Sequence, residues 1–169
     1  MPYSEISTNV LDALISTEDE RFLEHSGIDF RALMRSISSM GKSGGASTIP
    51  QQLAKLLFTL QKRSIDKDES QSTTSKFLGK FGRINEKAQE HIIAARLEQR
   101  YTKKEILTMY LNQFDYLYNA VGIENAATVY FNKTAAELSK TEAATLVGMC
   151  KNPGLYNPHS YQVRNYARR

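Results

Sequence analysis

Two adjacent acidic residues, Glu18 and Asp19, are the first groups in this sequence that could do chemistry. They stand at the end of an apolar stretch, and His25 follows seven residues after Glu18, two turns if the helix continues. Like charge and partial burial both make a carboxylate keep its proton more tightly, which is how proteins obtain a general acid or base near neutral pH. The competing interpretation is a solvated pair at a helix end, since most such pairs are exposed.

A second run, GGASTIPQQLAK, leads from glycines into a helix start. A glycine loop that enters a capped helix presents free N–H groups, which suit an anion. Gln52 and Lys55 lie one turn apart beyond it and suit a sugar and a phosphate. Ser47, Thr48 and Gln51 fit a plain helix cap equally well. The run lacks the G-K-[ST] of a nucleotide-binding loop.

A third pair, Lys87 and Glu90, is spaced to meet on one helix face. An exposed pair of this kind contributes roughly a few tenths of a kcal/mol, so by itself it indicates a surface ion pair. His25 is similarly open, because a histidine before a glycine often complements a helix C-terminus. No cluster of His, Cys and carboxylates has the spacing of metal ligands, so no structural metal is expected.

The elements that must position these groups are predicted to be helices, with no alternating strand pattern. Four capping boxes mark helix starts: Thr48–Gln51, Thr102–Glu105, Thr134–Glu137 and Ser139–Glu142. Helices are predicted over about 8–24, from 30, from 48, and over 84–100, 102–112, 123–132 and 140–150. Apolar stripes are predicted at Phe30, Leu33, Met34 and Ile37 and at Leu53, Leu56, Leu57 and Leu60. The polar stretch 61–82 is predicted to be a mobile insertion.

Composition limits the class of protein. The 169 residues are 41% hydrophobic and 24% charged, as in a single soluble globular domain. A net charge of +4 is too small to predict nucleic-acid binding. The lone Cys150 excludes an intrachain disulfide. No apolar run reaches the roughly 18–20 residues of a membrane span and no signal peptide is visible, so we expect any membrane anchor to lie outside this sequence.

Together the motifs resemble those of glycosyltransferase family 51, the peptidoglycan polymerase domain of class A penicillin-binding proteins and monofunctional transglycosylases. The family's E-D-x-x-F-x-x-H-x-G is complete here in Glu18, Asp19, Phe22, His25 and Gly27. Its G-x-S-T-I-x-Q-Q with a following lysine is complete in Gly45, Ser47, Thr48, Ile49, Gln51, Gln52 and Lys55. Its R-K-x-x-E is matched by Lys87 and Glu90, whereas Glu86 replaces the arginine.

The resemblance implies a mainly α, lysozyme-like fold with a small membrane-proximal lobe, in one glycosyltransferase domain over residues 1–169. It implies an inverting enzyme that polymerises lipid II into β-1,4-linked glycan and releases undecaprenyl pyrophosphate. The implied partners are lipid II and the nascent glycan at the extracytoplasmic (periplasmic) face of the bacterial cell membrane. A transmembrane anchor and a C-terminal transpeptidase domain are expected in a longer protein.

The resemblance also implies roles for individual residues. Glu18 would be the base that deprotonates the acceptor hydroxyl, and Glu90 the second catalytic carboxylate. Lys55 and Lys87 would hold the pyrophosphate. The implied substrate-binding set is completed by Asp19, His25, Ser47, Thr48, Gln51, Gln52 and Arg83. No tightly bound cofactor is expected, although Mg²⁺ or Mn²⁺ could assist at the pyrophosphate, held by the substrate and one carboxylate.

Three departures from the family pattern bear on phosphate affinity. Glu86 inverts a charge near the pyrophosphate, for which Arg83 could compensate; Leu56 replaces a common asparagine; and the stretch between Lys55 and Lys87 is long. Two other functions therefore stay open. One is a lysozyme-like glycan hydrolase that uses the same two carboxylates, which the nearby lysines argue against. The other is a non-catalytic domain that binds lipid II.

Overall fold

A computed structural model describes residues 1–38, 47–65 and 78–158. Within these ranges it describes the side chains of all residues except 37, 59–65 and 78–86. The α-helices are α1 (Thr8–Glu18), α2 (Phe30–Ser38), α3 (Ile49–Ile65), α4 (Leu78–Arg100), α5 (Lys103–Gln113), α6 (Ile123–Phe131), α7 (Lys140–Lys151) and α8 (Pro153–Tyr156). The predicted mainly α fold is confirmed. Extended pairing within the described ranges is limited to an isolated bridge between Asp115 and Val121.

The chain divides into two compact units, each with its own buried side chains. The first unit is Met1–Arg21 with Leu107–Arg169, and the second is Phe22–Ile106. In the first, α1 packs on α7, and α7 also contacts α6 and α8. In the second, α3 packs along α4, burying Leu53 and Ala54 of α3 and Ala94 and Leu97 of α4. The prediction of one domain over residues 1–169 stays a prediction.

All four predicted capping boxes are present. The Glu105 carboxylate accepts from the Thr102 N–H at 2.7 Å, that of Glu137 from the Thr134 N–H at 3.0 Å, and that of Glu142 from the Ser139 N–H at 2.9 Å. In the fourth box, the Thr48 N–H donates to Gln51 Oε1 and the Gln51 N–H donates to Thr48 Oγ1, both at 3.4 Å. These boxes depend on neighbours three residues apart, so the sequence alone locates them.

The first helix is shorter than predicted, and it ends before it reaches His25. We expected a helix to about residue 24, but α1 ends at Glu18 because Asp19 leaves the helical region at φ −157°. Glu18, Asp19 and Glu20 place three negative charges where the helix dipole is itself negative, which disfavours another turn. The expectation that His25 follows Glu18 by two helical turns is therefore wrong.

The predicted apolar stripes are only partly buried. In α2, Phe30 is 69% exposed and Met34 is 66% exposed, while in α3 Leu53 is buried and Leu57 is exposed. The side chains of residues 37 and 60 lie outside the described set. Helical periodicity predicts which residues share a face, but burial also needs another element to cover that face.

The helices also extend into the predicted insertion. Helix α3 runs to Ile65 and α4 begins at Leu78, earlier than the predicted start at 84. Both ends of the stretch 61–82 are therefore helical, and residues 66–77 lie outside the described ranges, as does the predicted glycine loop 41–46. Within the described ranges, no helix has the length and apolar character that crossing a membrane requires.

Candidate active site

Glu18, the last residue of α1, lies against uncharged groups in the first unit. Its Oε1 atom is buried. Burial is the main cause that raises the pKa of the Tyr110 hydroxyl, and the nearby Cys150 and Glu18 charges add to it. Burial likewise raises the pKa of the Cys150 thiol to about 12; the charge of Glu18 adds to this, and hydrogen bonding with Tyr116 and Tyr110 opposes it. Near neutral pH, Glu18 therefore faces a neutral phenol and a neutral thiol.

These uncharged neighbours belong to a wider buried polar group. The Cys150 thiol donates to the Tyr116 hydroxyl across 3.5 Å, and the Tyr130 hydroxyl donates to the Tyr116 carbonyl at 2.6 Å. Tyr116 is fully buried, which raises the pKa of its phenol well above the ordinary value. Asp19 is also buried and forms the C-cap of α1. Sequence reasoning missed Tyr110, Tyr116 and Cys150, since nothing in their spacing indicates that the fold brings them together.

In the second unit, two predicted site residues converge on the carbonyl of Gly27. Thr48 Oγ1 donates to it at 2.6 Å and Gln51 Nε2 at 3.4 Å. Both side chains are buried, so the start of α3 is joined directly to the segment 22–27, which we call the His25 segment. Their described contacts are structural, and their contact with substrate stays a prediction. Ser47, which precedes Thr48, is half-buried.

Gly27 is required at its position by backbone geometry. Its φ of +90° is unfavourable for other residues, and a Cβ built there would lie 2.9 Å from the carbonyl carbon and oxygen of Ala94. The His25 segment is therefore in close contact with the backbone of α4. This gives the glycine of the first motif a physical role, because it lets the segment approach the helix that carries Glu90.

His25 has a defined hydrogen-bonding state in this segment. Its Nδ1 accepts from the Gly27 N–H at 3.2 Å. A neutral imidazole that accepts at one nitrogen carries its proton on the other, so the neutral ring is the Nε2–H tautomer. The ring also meets Phe22 edge-on, with centroids 6.1 Å apart. The backbone and Phe22 together orient His25 as a donor at Nε2.

Lys87 and Glu90 form the ion pair that their spacing predicted. Lys87 Nζ lies 2.6 Å from Glu90 Oε2, with the Lys87 side chain 54% exposed and the Glu90 side chain 10% exposed. A buried carboxylate thus holds an ammonium that solvent, or a substrate anion, can reach. On α3, which packs along α4, Gln52 is half-buried and Lys55 is exposed.

Three other residues that the sequence singled out lie on the same two helices, α3 and α4. Arg83 and Glu86 fall within α4, but their side chains are outside the described set, so the proposed compensation stays a prediction. Leu56 is half-buried on α3. Among the described residues, no group of three or more His, Cys, Asp or Glu could hold a metal ion.

Sequence comparison now assigns the family. A sequence model described as transglycosylase matches residues 1–169, which is the whole chain. The chain belongs to the transglycosylase family. The resemblance drawn from the motifs is thereby confirmed.

Curated relatives of this transglycosylase domain are penicillin-binding proteins. Penicillin-binding protein 2a of Streptococcus pneumoniae is 38% identical over 155 residues, which cover 92% of this chain and 19% of the relative. Penicillin-binding protein 1F of Bacillus subtilis is 38% identical over 170 residues, which cover 98% of this chain and 21% of the relative. Penicillin-binding protein 1A of Escherichia coli is 38% identical over 169 residues, covering 98% and 18%. The chain therefore spans about a fifth of the length of these relatives.

Proposed function

We propose that this transglycosylase domain is a peptidoglycan glycosyltransferase that polymerises lipid II into β-1,4-linked glycan. The family match over the whole chain and the penicillin-binding relatives support this function. The observation that carries it is the pair of Lys87 and Glu90, in which a buried carboxylate presents an exposed ammonium. A pyrophosphate leaving group needs such a cation, whereas a glycan hydrolase has no phosphate to bind.

In the proposed reaction, the 4-hydroxyl of the acceptor GlcNAc attacks C1 of the terminal MurNAc of the growing chain. A bond forms between that oxygen and C1 with inversion, while the bond from C1 to the phosphate oxygen breaks. The hydroxyl proton passes to the Glu18 carboxylate, and the pyrophosphate leaves with the bonding electron pair. Lys87 and Lys55 would stabilise the charge that develops on the leaving group.

Glu90 would keep Lys87 in place. An isolated lysine ammonium is a flexible point charge, and its 2.6 Å contact with a buried carboxylate restricts it. The pair is then neutral overall until a phosphate arrives. The same carboxylate could stabilise positive charge at the donor sugar, which is the second role that the family resemblance implies. Gln52, His25 and Asp19 are proposed to contact sugar or phosphate oxygens.

The setting of the reaction is also a proposal. Lipid II carries an undecaprenyl chain, so we propose that the domain works at the extracytoplasmic face of the bacterial cell membrane. The membrane anchor and the transpeptidase partner implied by the resemblance stay predictions. Any Mg²⁺ or Mn²⁺ at the pyrophosphate is proposed to be held by the phosphates and a single carboxylate.

An assay with lipid II in detergent tests the function against its two alternatives. Long glycan as the product supports polymerisation. Shortening of preformed glycan would indicate the hydrolase instead. Retention of lipid II without turnover would indicate a binding domain. Either of the last two results would overturn the proposed reaction.

The role of Glu18 is tested by Glu18→Gln, which removes the basic carboxylate but keeps the shape of the side chain. We expect polymerisation to fall by roughly 10²- to 10⁴-fold, the range of a lost general base. Glu20→Gln is the matched control, because Glu20 is exposed two residues away and should leave the rate unchanged. Full activity of Glu18→Gln would contradict the assignment of the base.

A further inference from the structure

Lys103, in the first turn of α5, makes three contacts that sequence reasoning did not anticipate. Its ammonium donates to the His25 carbonyl at 2.6 Å and to Glu98 Oε1 at 2.7 Å. It also lies over the ring of Phe22, 4.4 Å from the centroid. Two of these three contacts are to the His25 segment, and all the residues belong to the second unit.

Each contact is of a kind that fixes geometry. An ammonium has three protons, and here two are directed at oxygen acceptors while the charge faces an aromatic ring. The Lys103 side chain is 25% exposed and that of Glu98 is 8% exposed, so the ion pair is largely shielded from solvent. Charge-assisted hydrogen bonds in such surroundings are shorter and stronger than neutral ones.

The position of Lys103 in its helix is otherwise unfavourable. A cation at a helix N-terminus meets the positive end of the dipole, and α5 begins with two lysines, Lys103 and Lys104. Lys104 is exposed. Lys103 instead finds negative partners outside its own helix, which accounts for a residue that local helix energetics disfavours. Two adjacent lysines at a helix start, where cations are unfavourable, are the sequence signal that could have revealed the role of Lys103.

The His25 segment is held from two directions. At its C-terminal end, Thr48 and Gln51 bind the Gly27 carbonyl. At its N-terminal end and centre, Lys103 binds the Phe22 ring and the His25 carbonyl. The internal bond from the Gly27 N–H to His25 Nδ1 then sets the imidazole between these two attachments.

We propose that Lys103 is a positioning residue, which fixes the His25 segment and thereby the orientation and the tautomer of the imidazole. Lys103 touches no reacting atom in this proposal and acts through Phe22 and His25. The catalytic consequence rests on the proposed glycosyltransferase function. The structural consequence, a single His25 tautomer, does not rest on it, so the two can fail separately.

Lys103→Met by itself would leave the buried Glu98 carboxylate without its cation and could prevent folding. The informative variant is the double replacement Lys103→Met with Glu98→Gln, which removes both charges and keeps both side chains similar in size. We expect kcat for lipid II polymerisation to fall roughly ten- to a hundredfold, with KM changed less than threefold, because misplacing a segment costs rate more than binding.

The spectroscopic readout is the tautomer of His25, observed by long-range ¹H–¹⁵N NMR of the imidazole nitrogens. The native domain should show Nε2–H alone, and the double variant a mixture of both tautomers. The single variant Lys103→Arg keeps a cation beside Glu98. It should therefore retain most of the Nε2–H tautomer and most of the native rate. Lys104→Met is the matched control and should change neither.

The outcomes separate the two proposals. A mixed tautomer and a reduced kcat in a variant that melts within a few degrees of the native domain support the positioning role. An unchanged tautomer and rate in that variant would overturn it. If the native domain does not polymerise lipid II but the tautomer responds as expected, the function fails while the positioning role stands. If the double variant does not fold, the native spectrum still decides, since a native domain without predominant Nε2–H contradicts the proposal.

Discussion

The two predicted catalytic carboxylates stand in different surroundings, and this difference fits different roles. Glu18 lies near Tyr110 and Cys150, which are neutral because burial raises the pKa of both. Glu90 is paired with the ammonium of Lys87. A carboxylate that neutralises a lysine restricts the position of that lysine, which is the role that we propose for Glu90. The roles of Glu18 as base and of Glu90 as the second catalytic carboxylate stay predictions.

The reactivity of Cys150 tests whether the thiol beside Glu18 is neutral. Burial raises the pKa of its thiol from an ordinary 9.0 to about 12, so at pH 8 the thiolate fraction is on the order of a thousandfold lower than in an unfolded chain. We expect alkylation by iodoacetamide to be slower by at least that factor in the folded domain than in urea. Since Cys150 is the one cysteine in the chain, the rate is read directly from a thiol assay. Equal rates in the two states would contradict its burial.

At the scale of elements, the His25 segment shows how a short stretch without regular structure is held in place. It is bound by α3 through Thr48 and Gln51, by α5 through Lys103, and packs on α4 at Ala94. Three helices thus position six residues of the first motif.

Replacing Gly27 tests this packing. In Gly27→Ala the alanine has to adopt a positive φ, and its Cβ meets the backbone of α4. Each of these two effects costs about 1–3 kcal/mol. We expect the free energy of unfolding in urea to fall by about 2–6 kcal/mol, the sum of the two costs. Gly154→Ala is the matched control, because its nearest neighbour atom would be Asn152 Oδ1 at 3.6 Å, an ordinary contact, and stability should change by less than about 1 kcal/mol. Equal stabilities of the two variants would contradict the close approach.

At the scale of the whole molecule, capping carboxylates in both units link stability to pH. Backbone hydrogen bonds from Thr102 and Thr134 are the main cause that lowers the pKa of Glu105 and Glu137 below 4.5. Hydrogen bonding from Lys133, followed by that from Ser139, lowers the pKa of Glu142 to about 2. A carboxylate whose pKa is lower in the folded state stabilises that state at any pH above the pKa that it has in the unfolded chain. This contribution is lost as the pH falls through the pKa of the folded state.

Acid titration tests this linkage. We expect the melting temperature to decline as the pH falls from about 4.5 towards 2, the window set by the ordinary pKa and that of Glu142. A variant with Gln at 105, 137 and 142 keeps the acceptor oxygen of each box but cannot titrate. It should be less stable than the native domain at pH 7 and decline less steeply in acid. The melting temperatures are measured by circular dichroism. If those of the native domain and the variant fall in parallel as the pH falls, the linkage is refuted.

The sequence by itself determined what depends on neighbours along the chain. The four capping boxes and the Lys87–Glu90 pair were all predicted, because each is made by residues a few positions apart. The family motifs were equally local, and they identified the transglycosylase family before any fold was known.

The tertiary structure decided what depends on residues distant along the chain. Helix α1 ends at Glu18, the apolar face of α2 is largely exposed, and Lys103 binds a carbonyl 78 residues before it. Periodicity predicts that a helix has an apolar face, but not whether another element covers it. Likewise, Glu18 is only one member of an acidic run until folding places Tyr110 and Cys150 beside it. Long-range contacts arise from the packing of whole elements, which no local pattern encodes.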